Sequence, residues 1–286
     1  MLNKEIKIIF LGTPKFGAIV LEGLIKSGHK PFLVITEPDK PVGRKQIITP
    51  PPVKVLAEKY NIPVVQPAKI SEYAEEIEKL NPSLVIIAAF GQIIPKKILE
   101  IPEYGCLNVH PSLLPKYRGP SPIQFAILKG EEKTGVTIMR ISEKLDTGPI
   151  LSQQEIEVSQ KETFESLHDK LAEAGTRLLI ETIPRLLAGK LPPIPQEEAE
   201  ATYTKILKKE DGKIDWDKSP KEIERQVRAL NPWPGTYTLY NGKRLKILNA
   251  EAAGGKLIIK EVQLEGKKAT TFEDFLKGHS DYAKPY

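Results

Sequence analysis

An asparagine and a histidine stand two positions apart at residues 108 and 110, directly before a proline. On a β-strand, residues i and i+2 project from the same face, so Asn108 and His110 are expected to point together. Pro111 cannot donate a hydrogen bond to a sheet ladder and is expected to end the strand. The pair is therefore predicted at the carboxyl end of a strand, where open parallel sheets bind ligands.

These two side chains suit the transfer of a carbonyl group to an amine. An Asn amide can donate to a developing oxyanion, and a His can exchange a proton near neutral pH. Such a transfer needs no enzyme nucleophile; the chain has no Gly-x-Ser-x-Gly motif, and Cys106 is expected deeper in the strand. Asp146, in Leu-Asp-Thr-Gly, is a candidate third group, although Asp-Thr-Gly is also ordinary turn chemistry. A purely structural role is the competing interpretation of His110, and the neighbouring Asn108 favours a site.

The elements that must position these residues alternate between strand and helix. Helical periodicity separates five short, mostly β-branched runs, at residues 6–12, 32–36, 62–66, 84–91 and 106–110. The run LVIIAAF is apolar on both faces, as in a buried parallel strand. This pattern predicts an α/β fold with a parallel sheet and right-handed crossovers.

The first turn, FLGTPKFG, lacks the glycine pattern of a dinucleotide site. Pro14 stands where a second glycine would let the backbone approach a pyrophosphate, so a plain tight turn is favoured over NAD binding. Thr13 is predicted to cap the first helix.

The second half of the chain has a different pattern. Residues 134–141 and 149–158 are predicted to form an antiparallel pair, which places Asp146 on the loop between them. Residues 163–190 form a long amphipathic helical pattern. A Pro- and Glu-rich, aperiodic stretch follows and is interpreted as a linker. Beyond it, Asn241-Gly242 predicts a β-hairpin.

Composition excludes several classes of protein. With 40% hydrophobic and 28% charged residues, the chain has no apolar run long enough for a membrane span. Its N-terminus is interpreted as a first strand, and we expect a cytoplasmic monomer. One cysteine rules out a disulfide framework, and the four scattered histidines predict no metal site.

The basic residues are unevenly placed. Residues 208–286 hold 16 Lys and Arg against 12 Asp and Glu. This excess fits either a polyanionic partner or a solvated Lys/Glu-rich surface. Residues 38–52, PDKPVGRKQIITPPP, form a long connection with three cations, Lys40, Arg44 and Lys45. Such a loop suits phosphates or an RNA end, and a solvated excursion is an equally open interpretation.

Taken together, LNVHPSLLPKYRGPSPIQFAI and TGVTIMRISEKLDTGPIL resemble the folate-dependent formyltransferases. The segments IIFLGTPKFG, TEPDKPVGRKQIITPPPVKVLAEKYNIPVVQP and RALNPWPGTY resemble the branch of that family that formylates methionyl-tRNA. The resemblance covers nearly the whole chain. It implies a Rossmann-like catalytic domain at 1–189, a linker at 190–207, and an OB-like tRNA-binding β-barrel at 208–286. The barrel is expected to be reduced or open, because about two strands' worth of the family's usual sequence is missing after LKILNAE.

The resemblance also implies roles for particular residues. It gives catalysis to Asn108, His110 and Asp146. It places the tetrahydrofolate site at Ser112, Leu113, Leu114 and Pro115, and at the backbone of Phe90, Gly91, Gln92 and Ile93. It makes residues 38–52 a clamp for the acceptor end of tRNA, with Arg44 at the position of the family's functional arginine.

The expected reaction is transfer of the formyl group of 10-formyltetrahydrofolate to the α-amine of methionine on initiator tRNA, without a metal. Three alternatives stay open. The acceptor could be a small amine, such as an amino-sugar nucleotide or glycinamide ribotide, or it could be water, as in a formyltetrahydrofolate hydrolase. A non-catalytic RNA-binding module is the third. The basic loop and basic C-terminal region argue against a small acceptor, and the Asn108, His110 and Asp146 set argues against a binding module.

Overall fold

The computed structural model describes residues 6–43 and 45–282 of the 286-residue chain. Its internal contacts divide the chain into two units. The first comprises the described residues up to Arg118, with Thr134–Ile156 and His168–Tyr203; the second comprises Gly119–Lys133, Glu157–Leu167 and the described residues from Thr204 onwards. Each unit therefore combines segments that are far apart in sequence, whereas the predicted domains are contiguous. The boundaries at 189/190 and 207/208 stay predictions.

The described residues form the following strands and helices. The strands are β1 (Ile8–Gly12), β2 (Leu33–Ile35), β3 (Lys40–Val42), β4 (Ile47–Thr49), β5 (Val64–Val65), β6 (Leu84–Ala88), β7 (Cys106–His110), β8 (Lys133–Arg140), β9 (Ile150–Glu157), β10 (Thr236–Tyr240), β11 (Lys243–Ala253), β12 (Lys256–Leu264) and β13 (Thr270–Thr271). The helices are α1 (Lys15–Lys26), α2 (Pro52–Lys59), α3 (Ala74–Leu80), α4 (Lys96–Leu99), α5 (Pro122–Lys129), α6 (Phe164–Leu187), α7 (Pro220–Leu230) and α8 (Phe272–Gly278). In the described ranges, no helix is both long and apolar enough to cross a membrane.

The first unit is built on a seven-stranded sheet in the order β5-β2-β1-β6-β7-β8-β9. The strands from β5 to β7 are parallel, and β8 pairs antiparallel with β7. Every residue of β1 and β6 is buried, as expected of strands covered on both faces. The predicted Rossmann-like parallel sheet is therefore confirmed.

Helix α1 packs closely against the carboxyl ends of the paired strands β1 and β6. Its Gly17 leaves no room for a side chain, because an added Cβ would lie 2.7 Å from the carbonyl oxygen of Ala88. The prediction that Thr13 caps this helix is wrong. Pro14 occupies the N-cap position, and the Thr13 hydroxyl instead donates to the carbonyl of Phe90 at 2.8 Å. This bond fixes the loop that follows β6.

Residues 38–52 contain a small two-stranded sheet. Strands β3 and β4 pair antiparallel, with Lys40 opposite Thr49. Their apolar side chains face outward; Val42 is 56% exposed and Ile47 is 61% exposed. The long connection is thus partly ordered as a hairpin.

The second unit contains an antiparallel sheet in the order β10-β11-β12-β13. Asn241 and Gly242 both have positive φ, 48° and 75°, as a two-residue type I′ turn requires, so the predicted hairpin is confirmed. Helix α7 packs Ile223 and Val227 into the core formed with β11 and β12. The β-rich C-terminal domain is confirmed, and in the described residues its sheet is open, with β10 and β13 as edges.

Candidate active site

Strand β7 presents His110 at the carboxyl end of the parallel strands. Leu107 and Val109 are buried on the opposite face, as the alternation of a strand dictates. The His110 ring is buried and its Nε2 lies 3.1 Å from the carbonyl oxygen of Tyr117. A carbonyl oxygen can only accept a hydrogen bond, so Nε2 carries a proton in this contact. Nδ1 takes no part in it.

Asp146 faces that second ring nitrogen. Its Oδ2 lies 3.8 Å from His110 Nδ1, and the two side chains are only 10% and 5% exposed. The separation is longer than a hydrogen bond, as is common for catalytic pairs before substrate binds. Asp146 has a φ of 51°, a left-handed conformation that Asp tolerates better than most residues. The structure thus brings together these two predicted residues from distant parts of the sequence.

The loop that carries Asp146 is held by residues that the sequence did not single out. Gln196 donates to the carbonyl oxygens of Asp146 at 2.8 Å and Gly148 at 2.7 Å. The amide oxygen of Gln196 accepts from Nε of Arg118 at 2.9 Å. Gln196 lies in the aperiodic stretch interpreted as a linker, where no pattern pointed to it.

Asn108 lies on the same face of β7 as His110 and is half-buried. Its side-chain amide makes no hydrogen bond to another described residue, so the group is available to a ligand. Cys106 is one alternation further back on that face, and burial raises the pKa of its thiol to about 12. A thiol held neutral in this way cannot serve as a nucleophile near neutral pH.

The Ser112–Pro115 segment is fixed from within. The Ser112 hydroxyl donates to the carbonyl of Lys116 at 2.6 Å. Thr137 Oγ1 on β8 donates to the Ser112 carbonyl at 2.7 Å and accepts from the Leu114 amide at 3.1 Å. Ser112 and Leu114 are buried, whereas Leu113 and Pro115 are half-buried. Side-chain contact with a ligand is therefore open to Leu113 and Pro115, while Ser112 and Leu114 shape the segment.

The loop after β6 combines a buried anchor with an exposed tip. The Phe90 ring is buried in the core, and Ile93 is 81% exposed. Gly91 has a φ of 94°, which few other residues adopt. The side chain of Gln92 is used in a hydrogen bond within the protein, in which its amide oxygen accepts from the Ile70 backbone amide at 2.8 Å. In the described residues, the backbone amides of Gly91, Gln92 and Ile93 donate no hydrogen bond, which leaves three donors for a ligand.

The three predicted RNA-binding cations have different surroundings. Lys40 lies on β3 and pairs with Glu37, with Nζ 2.8 Å from Oε2. Lys45 is exposed in the turn between β3 and β4 and makes no ion pair within the described residues. Arg44 lies outside the described residues.

The candidate site consists of an amide, an imidazole and a carboxylate, those of Asn108, His110 and Asp146. Within residues 6–43 and 45–282, no group of three or more His, Cys, Asp or Glu side chains is arranged to hold a metal ion.

The chain is similar to known formyl transferases. A family model described as formyl transferase matches residues 6–183, and one described as formyl transferase, C-terminal domain, matches residues 206–256. A methionyl-tRNA formyltransferase of Bacillus cereus (strain B4264) is 47% identical over 301 residues, covering 96% of each chain.

Two solved structures share the fold at lower identity. A methionyl-tRNA formyltransferase from Clostridium thermocellum is 23% identical with a TM-score of 0.61, covering 91% of this chain and 98% of that one. A sugar 3N-formyl transferase, WlaRD, solved in the presence of dTDP and 5-N-formyl-THF, is 22% identical with a TM-score of 0.67, covering 93% of this chain and 100% of that one. The family model and the 47% identity decide the assignment: the chain belongs to the methionyl-tRNA formyltransferase branch of the formyl transferase family.

Proposed function

We propose that this chain transfers the formyl group of 10-formyltetrahydrofolate to the α-amine of methionine on initiator tRNA, giving formylmethionyl-tRNA. The observation that carries the proposal is the 47% identity to a methionyl-tRNA formyltransferase across 96% of both chains. The sugar formyl transferase has a similar fold at 22% identity, which speaks for the fold alone.

In the proposed reaction the neutral amine adds to the formyl carbon. The bond from that carbon to the folate nitrogen then breaks, the attacking nitrogen loses a proton, and the folate nitrogen gains one. Negative charge develops on the formyl oxygen between these events. Asn108 has a free side-chain amide that can donate to that oxygen, and a protonated His110 can donate beside it.

His110 and Asp146 handle the proton. The Nε2–H of His110 donates to the Tyr117 carbonyl at 3.1 Å. Nδ1 is therefore the ring nitrogen that gains or loses a proton during the reaction. Asp146, 3.8 Å from Nδ1, stabilises the positive charge that the ring carries when Nδ1 is protonated. A carboxylate in this place keeps the pair overall neutral when the imidazole is protonated.

The folate donor is proposed to lie against the loop after β6 and the segment Ser112–Pro115. The unused backbone amides of Gly91, Gln92 and Ile93 fit the acceptor atoms of a pterin ring. Leu113 offers an apolar contact beside them. Such a site, a few directed donors within an apolar lining, is the usual form of a small-molecule pocket.

The RNA acceptor is proposed to meet the hairpin β3–β4 and the second unit. Lys45 lies in the turn of that hairpin and Arg44 precedes it in sequence, and phosphate contacts made by such cations carry most of the affinity in RNA binding. A small acceptor would need neither these cations nor the excess of basic residues in 208–286.

The test supplies the full-length chain and 10-formyltetrahydrofolate with four acceptors in separate reactions. They are methionyl initiator tRNA, an amino-sugar nucleotide, glycinamide ribotide, and water alone. We expect formylmethionyl-tRNA as the main product, with kcat/KM at least about 10³-fold above the small amines. Faster formylation of a small amine, or folate hydrolysis without transfer, would replace this proposal by the corresponding alternative.

A further inference from the structure

We propose that Gln196 is a positioning residue for Asp146, and that buried Arg118 anchors it in that role. The inference rests on the proposed function, because it concerns the carboxylate of the same site. Gln196 touches the backbone carbonyl of Asp146 and none of the three side chains assigned to catalysis.

Three hydrogen bonds hold the side-chain amide of Gln196 in one orientation. Both N–H groups are directed at the loop, to the carbonyl oxygens of Asp146 and Gly148. The amide oxygen accepts from Nε of Arg118. If the amide were turned over, its oxygen would face two carbonyl oxygens and its nitrogen would face a guanidinium donor. The contacts therefore fix the side chain and the loop together.

Arg118 is a suitable anchor because it is 0% exposed and its guanidinium is hydrogen-bonded through both Nε and Nη1. Its Nη1 donates to both carboxylate oxygens of Glu198 at 3.0 and 2.9 Å, and to the hydroxyl of Tyr203 at 2.9 Å. Its backbone amide donates to the Thr202 carbonyl at 2.9 Å. A buried guanidinium with these partners is costly to move, since any shift leaves a charge unpaired.

Other contacts also restrain the loop that carries Asp146. Gly148 cannot carry a side chain, because an added Cβ would lie 1.8 Å from the carbonyl oxygen of Arg140. The hydroxyls of Ser142 and Thr147 are hydrogen-bonded at 2.9 Å. The peptide between these contacts, at Asp146, is in the left-handed region. Gln196 thus holds the one residue whose backbone conformation is least favoured, and that residue carries the carboxylate.

The consequence is a specific kinetic signature. Without the amide, Asp146 can relax away from Nδ1 of His110, while the folate and RNA contacts stay in place. A misplacement of about 1 Å can cost roughly 10²-fold in rate. Turnover should therefore fall while both KM values hold.

The experiment uses the full-length chain with Gln196→Met and Gln196→Glu. The Met variant removes all three hydrogen bonds at similar length. The Glu variant keeps an oxygen for Arg118 and replaces the two donors by a second oxygen facing two carbonyls. We expect kcat to fall roughly 10- to 100-fold in both, with KM for each substrate within about threefold. The Glu variant keeps the test decisive if the Met variant fails to fold.

Gln226 provides a matched control in the second unit. Its buried amide also bridges two carbonyls, those of Asp211 at 3.1 Å and Lys213 at 3.2 Å. The amide oxygen of Gln226 has no hydrogen-bond partner in the described residues, so Gln226→Met removes two hydrogen bonds where Gln196→Met removes three. We expect Gln226→Met to leave kcat at saturating acceptor unchanged, whatever shift of the thermal midpoint accompanies it. This comparison separates loss of position from loss of stability.

A second readout is non-additivity. In an Asp146→Asn background, Gln196→Met should lower kcat by no more than about twofold, because the group it positions is already disabled. Equal fold losses in both backgrounds, or a Gln196→Glu enzyme within twofold of wild type, would overturn the inference. If the wild-type chain formylates a small amine instead of methionyl-tRNA, the proposed function fails and the same measurements with that amine still decide the role of Gln196.

Discussion

The pairing of Asp146 with His110 makes the sharpest prediction, through the substitution Asp146→Asn. The change keeps the size of the side chain and leaves the backbone contacts of Gln196 in place. It removes one negative charge at 3.8 Å from Nδ1 of His110.

The size of the effect follows from that distance and from burial. Two unit charges at this separation interact by about 4 kcal/mol at an effective dielectric constant of about 20. The two side chains are largely shielded from water, so the dielectric constant of bulk water would underestimate their interaction. The imidazole carries only part of a full charge in the transition state, so about 2–4 kcal/mol is lost. We therefore expect kcat to fall between about 30-fold and about 10³-fold.

The assay is single-turnover formylation of methionyl-tRNA, combined with equilibrium binding of the folate donor. The dissociation constant for folate should stay within about threefold of wild type, since the folate contacts are proposed elsewhere. His110→Ala should lower kcat by roughly 10²-fold or more. The kcat of the double variant should be only slightly below that of the less active single variant, because the two groups act as a unit.

Two outcomes would refute this reasoning. If Asp146→Asn weakens folate binding as much as it slows turnover, the carboxylate binds cofactor and does not assist proton transfer. If the effects of the two single variants simply add, His110 and Asp146 work independently despite their proximity.

Three further predictions address other parts of the site. Asn108→Ala removes one oxyanion donor and should lower kcat by roughly 10²-fold with folate affinity retained; unchanged single-turnover rates would exclude this role. Because burial raises the pKa of Cys106 to about 12, native protein should resist iodoacetamide at about pH 8 and react only when unfolded; rapid labelling in native mass spectra would contradict this. Arg44→Ala should impair formylation of methionyl-tRNA more than hydrolysis of formyl-folate, and Arg44→Lys should restore it only partly. Indistinguishable kinetics of the Arg44 variants at two salt concentrations would leave this loop without a role in RNA binding.

The sequence predicts best those features that depend on a local pattern of residue types. The alternation in Cys106–His110 indicated a strand with Asn108 and His110 on one side, and β7 has that form. The Asn241-Gly242 pair predicted a tight hairpin because its turn type demands two positive φ values. These features depend on local geometry, which neighbouring residues determine.

Short elements were missed because their partners are remote. Helix α5, Pro122–Lys129, has only eight residues and buries Ile123, Ala126 and Ile127. Its apolar run is too short to distinguish a helix from a strand by periodicity. It packs against α7, almost a hundred residues later, and that contact supplies what the local sequence lacks. The hairpin β3–β4 was missed for a related reason, since its apolar side chains are exposed and show no buried face.

The stretch after α6 shows most clearly what a sequence pattern leaves out. Residues 190–207 are rich in Pro and Glu and have no hydrophobic period, which is why they were interpreted as a linker. Up to Tyr203, however, they belong to the first unit, where Ile194 pairs with Ile150 and Gln196 supports the loop of Asp146. These contacts are hydrogen bonds to backbone atoms about 50 positions away in sequence, and any neighbouring composition is compatible with them. Periodicity indicates which face of an element is buried. It does not indicate a single hydrogen bond between a side-chain amide and a remote backbone carbonyl. The proposed catalytic residues are therefore selected by their types and spacing, whereas the residues that support their loop are visible only in the folded chain.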